Sequence, residues 1–143
     1  MDLKCSGIMS DNPTACLPSD SVIEAARLMK ANDVGSIPVV EDNQERRLVG
    51  IVTDRDIVMR VVAEARDAKT TMVEDVMTRD LMTVGPDDDV GRVIAAMEEH
   101  QVRRILVVDG DGRLVGIIAQ ADIAARMEAP ETTAEVVERI SQP

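Results

Sequence analysis

The stretch LVGIVTDRD, Leu48 to Asp56, returns later in the chain as LVGIIAQAD, Leu114 to Asp122. Each copy begins with a short aliphatic run rich in β-branched residues, which predicts a strand. Each also keeps an aspartate three residues after the strand ends, whereas Thr53 of the first copy is replaced by Ala119 in the second. A repeat of this kind predicts two copies of one structural unit.

The repetition extends upstream, where IMSDNPTACLPSDSV (residues 8–22) aligns with VMTRDLMTVGPDDDV (residues 76–90). The copies differ in length at a polar turn, EDNQERR in one and DGDGR in the other, where insertions are tolerated. We therefore assign residues 8–66 to the first repeat, 74–128 to the second, and 129–143 to a C-terminal helical tail.

Both copies predict an extended segment, a helix, two strands and a second helix. Ser21 with Glu24 forms a capping box, and Asp89 can cap the equivalent helix of the second copy. The runs IPVV and LVGIV, like ILVV and LVGII, predict two strands joined by a turn, and DIVMRVVAEA and DIAARM after them have helical spacing. Such apolar strands are typically covered by helices, so the fold class is α/β in its mixed (α+β) form.

Composition excludes several function classes. The chain has 143 residues, no apolar run near the roughly 20 that span a membrane, and no signal-peptide pattern, so a cytoplasmic location and no membrane partner are expected. A net charge of −11 and the absence of aromatic residues argue against nucleic acid. Cys5, Cys16 and the single histidine, His100, form no metal-binding or nucleophilic motif. We therefore expect reduced thiols, no metal and no enzyme activity.

Thr53 and Asp56 have two interpretations. They can cap the helix that follows the strand, because the hydroxyl accepts from a backbone N–H and the helix dipole favours the carboxylate. Alternatively, a carboxylate at the carboxyl end of a strand can accept both hydroxyls of a ribose, since open α/β sheets bind ligands there. Capping alone does not explain why Asp122 persists without its threonine partner.

Arg103 and Arg104 immediately precede the strand ILVV, where the first copy has Gly35 and Ser36. Two adjacent guanidinium groups suit phosphate through charge-assisted hydrogen bonds, although they could instead neutralise an acidic surface.

These blocks, in this order, closely resemble the tandem cystathionine-β-synthase (CBS) domain, or Bateman module, over residues 8–127. The resemblance implies a stand-alone pair of β-α-β-β-α repeats packed about a pseudo-twofold axis, which usually forms a homodimer. It implies a regulatory module for energy or stress sensing that binds adenosine compounds (AMP, ADP or ATP, sometimes S-adenosylmethionine) without catalysis. The alternative is a scaffold or stress protein with no ligand, which acts by oligomerisation and through an unknown protein partner.

The resemblance also implies roles for individual residues. Asp56 and Thr53 match the family's ribose-binding positions, and Arg103 and Arg104 match the basic pair that reaches the phosphates from the other repeat. The positions expected to line an adenine slot are Ile37, Pro38, Ile51 and Val52. A second cleft would use Asp122 with Gly35 and Ser36. We expect it to bind nucleotide weakly or not at all, or to bind a ligand without phosphate, because Ala119 lacks the hydroxyl and no basic pair is expected there.

Overall fold

A computed structural model describes residues 3–126, which form two compact units. The first-repeat unit is Thr14–Leu81, and the second-repeat unit combines residues 3–13 with residues 82–126. In chain order the elements are a 3₁₀ turn (Cys5–Gly7), β1 (Ser10–Asp11), α1 (Val22–Asn32), β2 (Ser36–Val40), β3 (Leu48–Thr53), α2 (Asp54–Ile57), a π-helical turn (Val58–Val62), a 3₁₀ turn (Val73–Asp75), β4 (Thr83–Val84), α3 (Val90–His100), β5 (Arg104–Val108), β6 (Leu114–Ala119) and α4 (Gln120–Arg126).

The two long helices begin where the sequence predicts. The Ser21 hydroxyl accepts a hydrogen bond from the Glu24 N–H, and the Asp89 carboxylate accepts one from the Gly91 N–H, so each residue caps its helix. Helical spacing predicts one apolar face on each helix. On α1 its members Val22, Ala25 and Met29 are buried and Ala26 is partly exposed, and on α3 its members Val90, Val93, Ile94 and Met97 are all buried.

The two units share one sheet plan. In the second-repeat unit the strand order is β1-β6-β5-β4, with β4 parallel to β5 and the other pairs antiparallel. In the first-repeat unit β2 and β3 form the antiparallel pair, and single bridges replace the outer strands, parallel at Cys16 with Val39 and antiparallel at Ile51 with Thr78. The structure therefore confirms the mixed α+β class.

The first residues of each repeat, with the turn just before them, pack on the other repeat. Ser10 of β1 pairs with Ile117 on β6, and Thr78, its counterpart in the second copy, pairs with Ile51 on β3. Each segment begins with a 3₁₀ turn that buries one side chain, Cys5 in one case and Val73 in the other. The compact units of the fold are therefore offset from the contiguous repeats of the sequence.

Each unit has its own apolar core. In the second-repeat unit the fully enclosed side chains include Ile105, Ile118 and Met97, and in the first-repeat unit they include Val22, Val39 and Val61. The helices cover one face of each strand pair, as the apolar strands predict.

The second helix of the first repeat differs from its prediction. DIVMRVVAEA was expected to form one helix, but α2 ends at Ile57 and a single π turn ends at Val62. Ala65 adopts a left-handed φ of 55°, and this backbone conformation stops the helix. Within the π turn, the Arg60 guanidinium donates to the carbonyls of Val76 and Met77. The predicted tail helix, residues 129–143, lies outside the described residues.

Candidate functional site

Thr53 and Asp56 cap α2 reciprocally. The Thr53 hydroxyl accepts from the Asp56 N–H at 3.0 Å, and Asp56 Oδ2 accepts from the Thr53 N–H, also at 3.0 Å. The pair satisfies two N–H groups that otherwise lack partners at a helix start. The capping interpretation is therefore confirmed, and ribose binding stays a prediction.

Thr78, a residue that was not predicted for the site, completes the surroundings of Asp56. Its hydroxyl donates to the same carboxylate, 3.1 Å from Oδ1 and 3.2 Å from Oδ2. Asp56 is only 8% exposed, and a carboxylate so enclosed requires donors of this kind. One signal could have found Thr78: the aligned position of the first copy is Ser10, so a hydroxyl occurs in both.

Gly35 and Ser36 lie at the same strand end as Thr53. Ser36 is the cross-strand partner of Thr53, and the Gly35 carbonyl accepts from the Asp54 N–H at 2.9 Å. The Asp54 carboxylate covers the glycine so closely that a Cβ on Gly35 would lie 3.0 Å from Oδ2 of Asp54. The structure thus brings these two residues together with Asp54 and Thr53 in the first-repeat unit.

The four aliphatic residues predicted to line an adenine slot form two adjacent cross-strand pairs, Ile37 with Val52 and Pro38 with Ile51. Ile37 and Val52 are 2% and 0% exposed and belong to the core. Their side chains are therefore already enclosed, and Ile51 is the member of the set that keeps partial exposure.

The strand end of the second-repeat unit retains half of the capping arrangement. Asp122 Oδ2 accepts from the Ala119 N–H at 2.8 Å, the same backbone bond that Asp56 makes with Thr53. This bond needs no side chain at the capping position. It explains why the aspartate persists in both copies although the threonine does not.

Arg103 and Arg104 lie at this second strand end and are exposed. Arg104 is the cross-strand partner of Ala119, and the Arg103 carbonyl accepts from the Gln120 N–H at 2.8 Å. A cavity of about 330 Å³ opens here, lined by Arg103, Arg104, Ala119, Gln120, Ala121 and Ala124. Small side chains leave the space open, and the two guanidinium groups can bind an anionic group in it. Both arginines therefore share a unit with Asp122, whereas Asp56 belongs to the first-repeat unit.

The two cysteines are free and buried. Burial raises the pKa of the Cys5 thiol from 9.0 to about 11, and Asp88 and Asp89 add to the shift. Burial likewise raises the pKa of Cys16 to about 12, with Asp20 adding to the shift. Both side chains are therefore protonated thiols at neutral pH, which are poor nucleophiles.

We expect Cys5 and Cys16 to react with an aromatic disulfide reagent at least roughly a hundredfold more slowly in the native protein than in urea. Because burial raises both thiol pKa values above 9.0, the folded protein holds the thiol protons more tightly than the unfolded chain does. The stability that comes from this difference is complete below pH 9, and it is lost as the pH rises through about 11 for Cys5 and about 12 for Cys16. Ser19→Cys supplies an exposed reference thiol. Native labelling of Cys5 or Cys16 as fast as this reference would contradict the burial.

Within residues 3–126 no group of three or more histidine, cysteine or acidic side chains is arranged to hold a metal ion. Across the same part of the chain, every helix is too short or too polar to cross a bilayer.

Comparison with known proteins identifies the repeats. The CBS domain matches the chain twice, over residues 5–63 and 73–129. The chain is 39% identical over 124 residues to the CBS domain-containing protein YhcV of Bacillus subtilis, covering 87% of this chain and 85% of YhcV.

Solved structures agree with this match. The crystal structure of Hypoxic Response Protein I with two coordinated zinc ions superimposes with a TM-score of 0.77 at 33% identity, covering 87% of this chain and 99% of that one. The structure of CBSX2 in complex with AMP gives a TM-score of 0.71 at 27% identity, covering 85% and 93%. The chain belongs to the CBS domain family, as a tandem pair of CBS domains.

Proposed function

We propose that this chain is a regulatory module that binds an adenine nucleotide, AMP, ADP or ATP, and performs no catalysis. The observation that carries the proposal is the Asp56 carboxylate, held by backbone and hydroxyl donors at the carboxyl end of β3. Ligands of open α/β sheets bind at such ends. The AMP complex of the related CBSX2 supports the choice of ligand.

In this proposal Asp56 accepts the ribose hydroxyls, with Thr53 beside it, and Arg103 and Arg104 bind phosphate. The adenine would contact the hairpin of Ile37, Pro38, Ile51 and Val52, in part through backbone groups, because all of these residues except Ile51 are buried. The weaker second cleft with Asp122, Gly35 and Ser36, the homodimer, the energy-sensing role and the cytoplasmic location stay predictions.

We expect Asp56→Asn to weaken AMP binding roughly 10- to 100-fold, because a hydrogen bond to a charged group contributes about 1.5–3 kcal/mol. Asparagine keeps the size of the side chain and one carbonyl acceptor for the Thr53 N–H, so the fold should persist. The measurement is calorimetric titration with AMP, ADP and ATP after denaturing removal of any endogenous ligand. Asp89→Asn is the matched control, since it makes the same change at a helix start that has no part in the proposed site.

A direct readout accompanies the titration. The chain has no Phe, Tyr or Trp, so any strong near-ultraviolet absorption of purified protein comes from a bound base. An adenine band that titration restores and Asp56→Asn removes would support the proposal. Equal affinities in Asp56→Asn and the parent protein would refute the role of Asp56.

A ligand-free scaffold is the second candidate, and two observations favour it. The Asp56 carboxylate already has internal donors, so the fold does not require a ligand there. The π turn after α2 also presents Val58, Met59 and Val62 with more than half of each residue exposed, which is typical of a protein-interaction surface. Absence of heat on titration with all three nucleotides, with oligomerisation intact, would select this function.

A further inference from the structure

Thr78 links the Asp56 carboxylate to the segment that follows the first repeat in the sequence and pairs with β3. Its backbone is fixed on β3, because the Ile51 N–H donates to the Thr78 carbonyl at 2.9 Å and the Thr78 N–H donates to the Ile51 carbonyl at 2.8 Å. From this anchored position its hydroxyl reaches Asp56, 22 residues away in sequence. The contact is therefore held by tertiary pairing and does not depend on the capped helix alone.

The hydroxyl occupies a specific place on the carboxylate. It lies 3.1 Å from Oδ1 and 3.2 Å from Oδ2, so it sits almost equally far from both oxygens. Two vicinal hydroxyls that donate one bond to each carboxylate oxygen must approach from this same side, between the two oxygens. The Thr53 N–H already uses one further acceptor position on Oδ2, which leaves few other approaches.

We propose that Thr78 is an internal competitor for the diol site of Asp56 and sets the affinity of this site for ligands with a vicinal diol. The inference rests on the proposed function, because it needs a ligand whose ribose hydroxyls reach Asp56. In the structure the Thr78 hydroxyl occupies the position between the two Asp56 oxygens that the ribose hydroxyls would need. Ligand binding requires the threonine side chain to rotate away, while its backbone stays paired with Ile51.

The second copy provides an internal reference. Ser10 is aligned with Thr78 and pairs with Ile117 as Thr78 pairs with Ile51. A change at Ser10 alters the corresponding hydroxyl of the second-repeat unit and leaves the surroundings of Asp56 as they are.

The test compares AMP with its analogue that lacks both ribose hydroxyls, in the parent protein and in Thr78→Val. Valine matches the shape of threonine and removes the competing donor. We expect Thr78→Val to bind AMP roughly three- to tenfold more tightly, about the contribution of one hydrogen bond, with no change for the analogue. Thr78→Ser should restore the parent affinity, and Ser10→Ala should leave both affinities unchanged.

The outcomes separate this inference from the proposed function. If Thr78→Val weakens AMP binding, or changes AMP and the analogue equally, Thr78 holds the site together and the competitor role is wrong. Unchanged AMP affinity in Thr78→Val would refute the competitor role alone, provided that Asp56→Asn still lowers the parent affinity. Failure of the parent protein and of Thr78→Val to bind AMP would refute both. If circular dichroism shows that the valine variant is unfolded, Thr78→Ala replaces it with the same expected results.

Discussion

Replacing Ile118 by alanine is expected to lower the free energy of unfolding by about 2–5 kcal/mol. Ile118 has no exposed surface and is the cross-strand partner of Ile105, which is 2% exposed. Both belong to the core that α3 covers in the second-repeat unit, so the lost atoms leave a cavity that close-packed neighbours fill only in part. Urea unfolding followed by far-ultraviolet circular dichroism measures the change in a chain without aromatic residues.

Ile117→Ala is the matched control for this change. Ile117 precedes Ile118 on β6 and remains partly exposed, because successive side chains of a strand point to opposite faces. Its truncation should cost clearly less than that of Ile118. Equal losses at the two positions would show that the core does not lie on the Ile118 face of the strand.

Local signals in the sequence predict most of the secondary structure. Ser21 and Asp89 cap their helices because a side-chain oxygen before an apolar periodic run satisfies free N–H groups wherever it occurs. The strand pairs follow equally from short aliphatic runs separated by polar turns, with Ile37 opposite Val52 and Ile105 opposite Ile118. These features depend on neighbours along the chain, which the sequence displays directly.

Contacts between distant segments could not be predicted in the same way. The sequence indicates that Asp56 caps a helix or binds a ribose, but Thr78 reaches it only because its segment pairs with Ile51. Likewise, the sequence does not show that a π turn follows the short helix after β3, or that the Arg60 guanidinium of this turn donates to carbonyls of that same segment. Residues of the candidate site could therefore be predicted singly, whereas their contacts depend on tertiary pairing.

The glycine that recurs in both copies of the repeated strand is another residue whose contact could not be predicted from the sequence. The sequence shows that Gly50 and Gly116 recur, but it does not give the reason. In the structure a methionine of the segment that pairs with each strand packs against the glycine of that strand. Met77 packs against Gly50, and Met9 packs against Gly116. These methionines are also aligned in the two copies, so each glycine and its methionine form one packing contact.

Gly50→Ala is therefore expected to destabilise the protein. The new Cβ would lie 2.7 Å from Met77 Sδ and 3.1 Å from the Thr78 carbonyl oxygen, which cannot retreat easily because it accepts from the Ile51 N–H. Overpacking of this kind costs about 1–3 kcal/mol. The reduced freedom of the unfolded chain offsets only about 0.4–1 kcal/mol of this. Urea unfolding measures the net loss, and Gly110→Ala, where a Cβ would have no neighbour within 4 Å, is the control.

A double-mutant cycle with Met77→Ala tests whether the methionine causes the loss. Met77→Ala alone removes a buried side chain and should itself destabilise the protein by about 2–5 kcal/mol. If the two side chains share one space, Gly50→Ala adds less to Met77→Ala than to the parent protein, with a coupling of about 0.5–3 kcal/mol. Strictly additive losses would instead assign the cost to the Thr78 carbonyl, and the recurring glycine would then protect the backbone pairing that positions Thr78 beside Asp56.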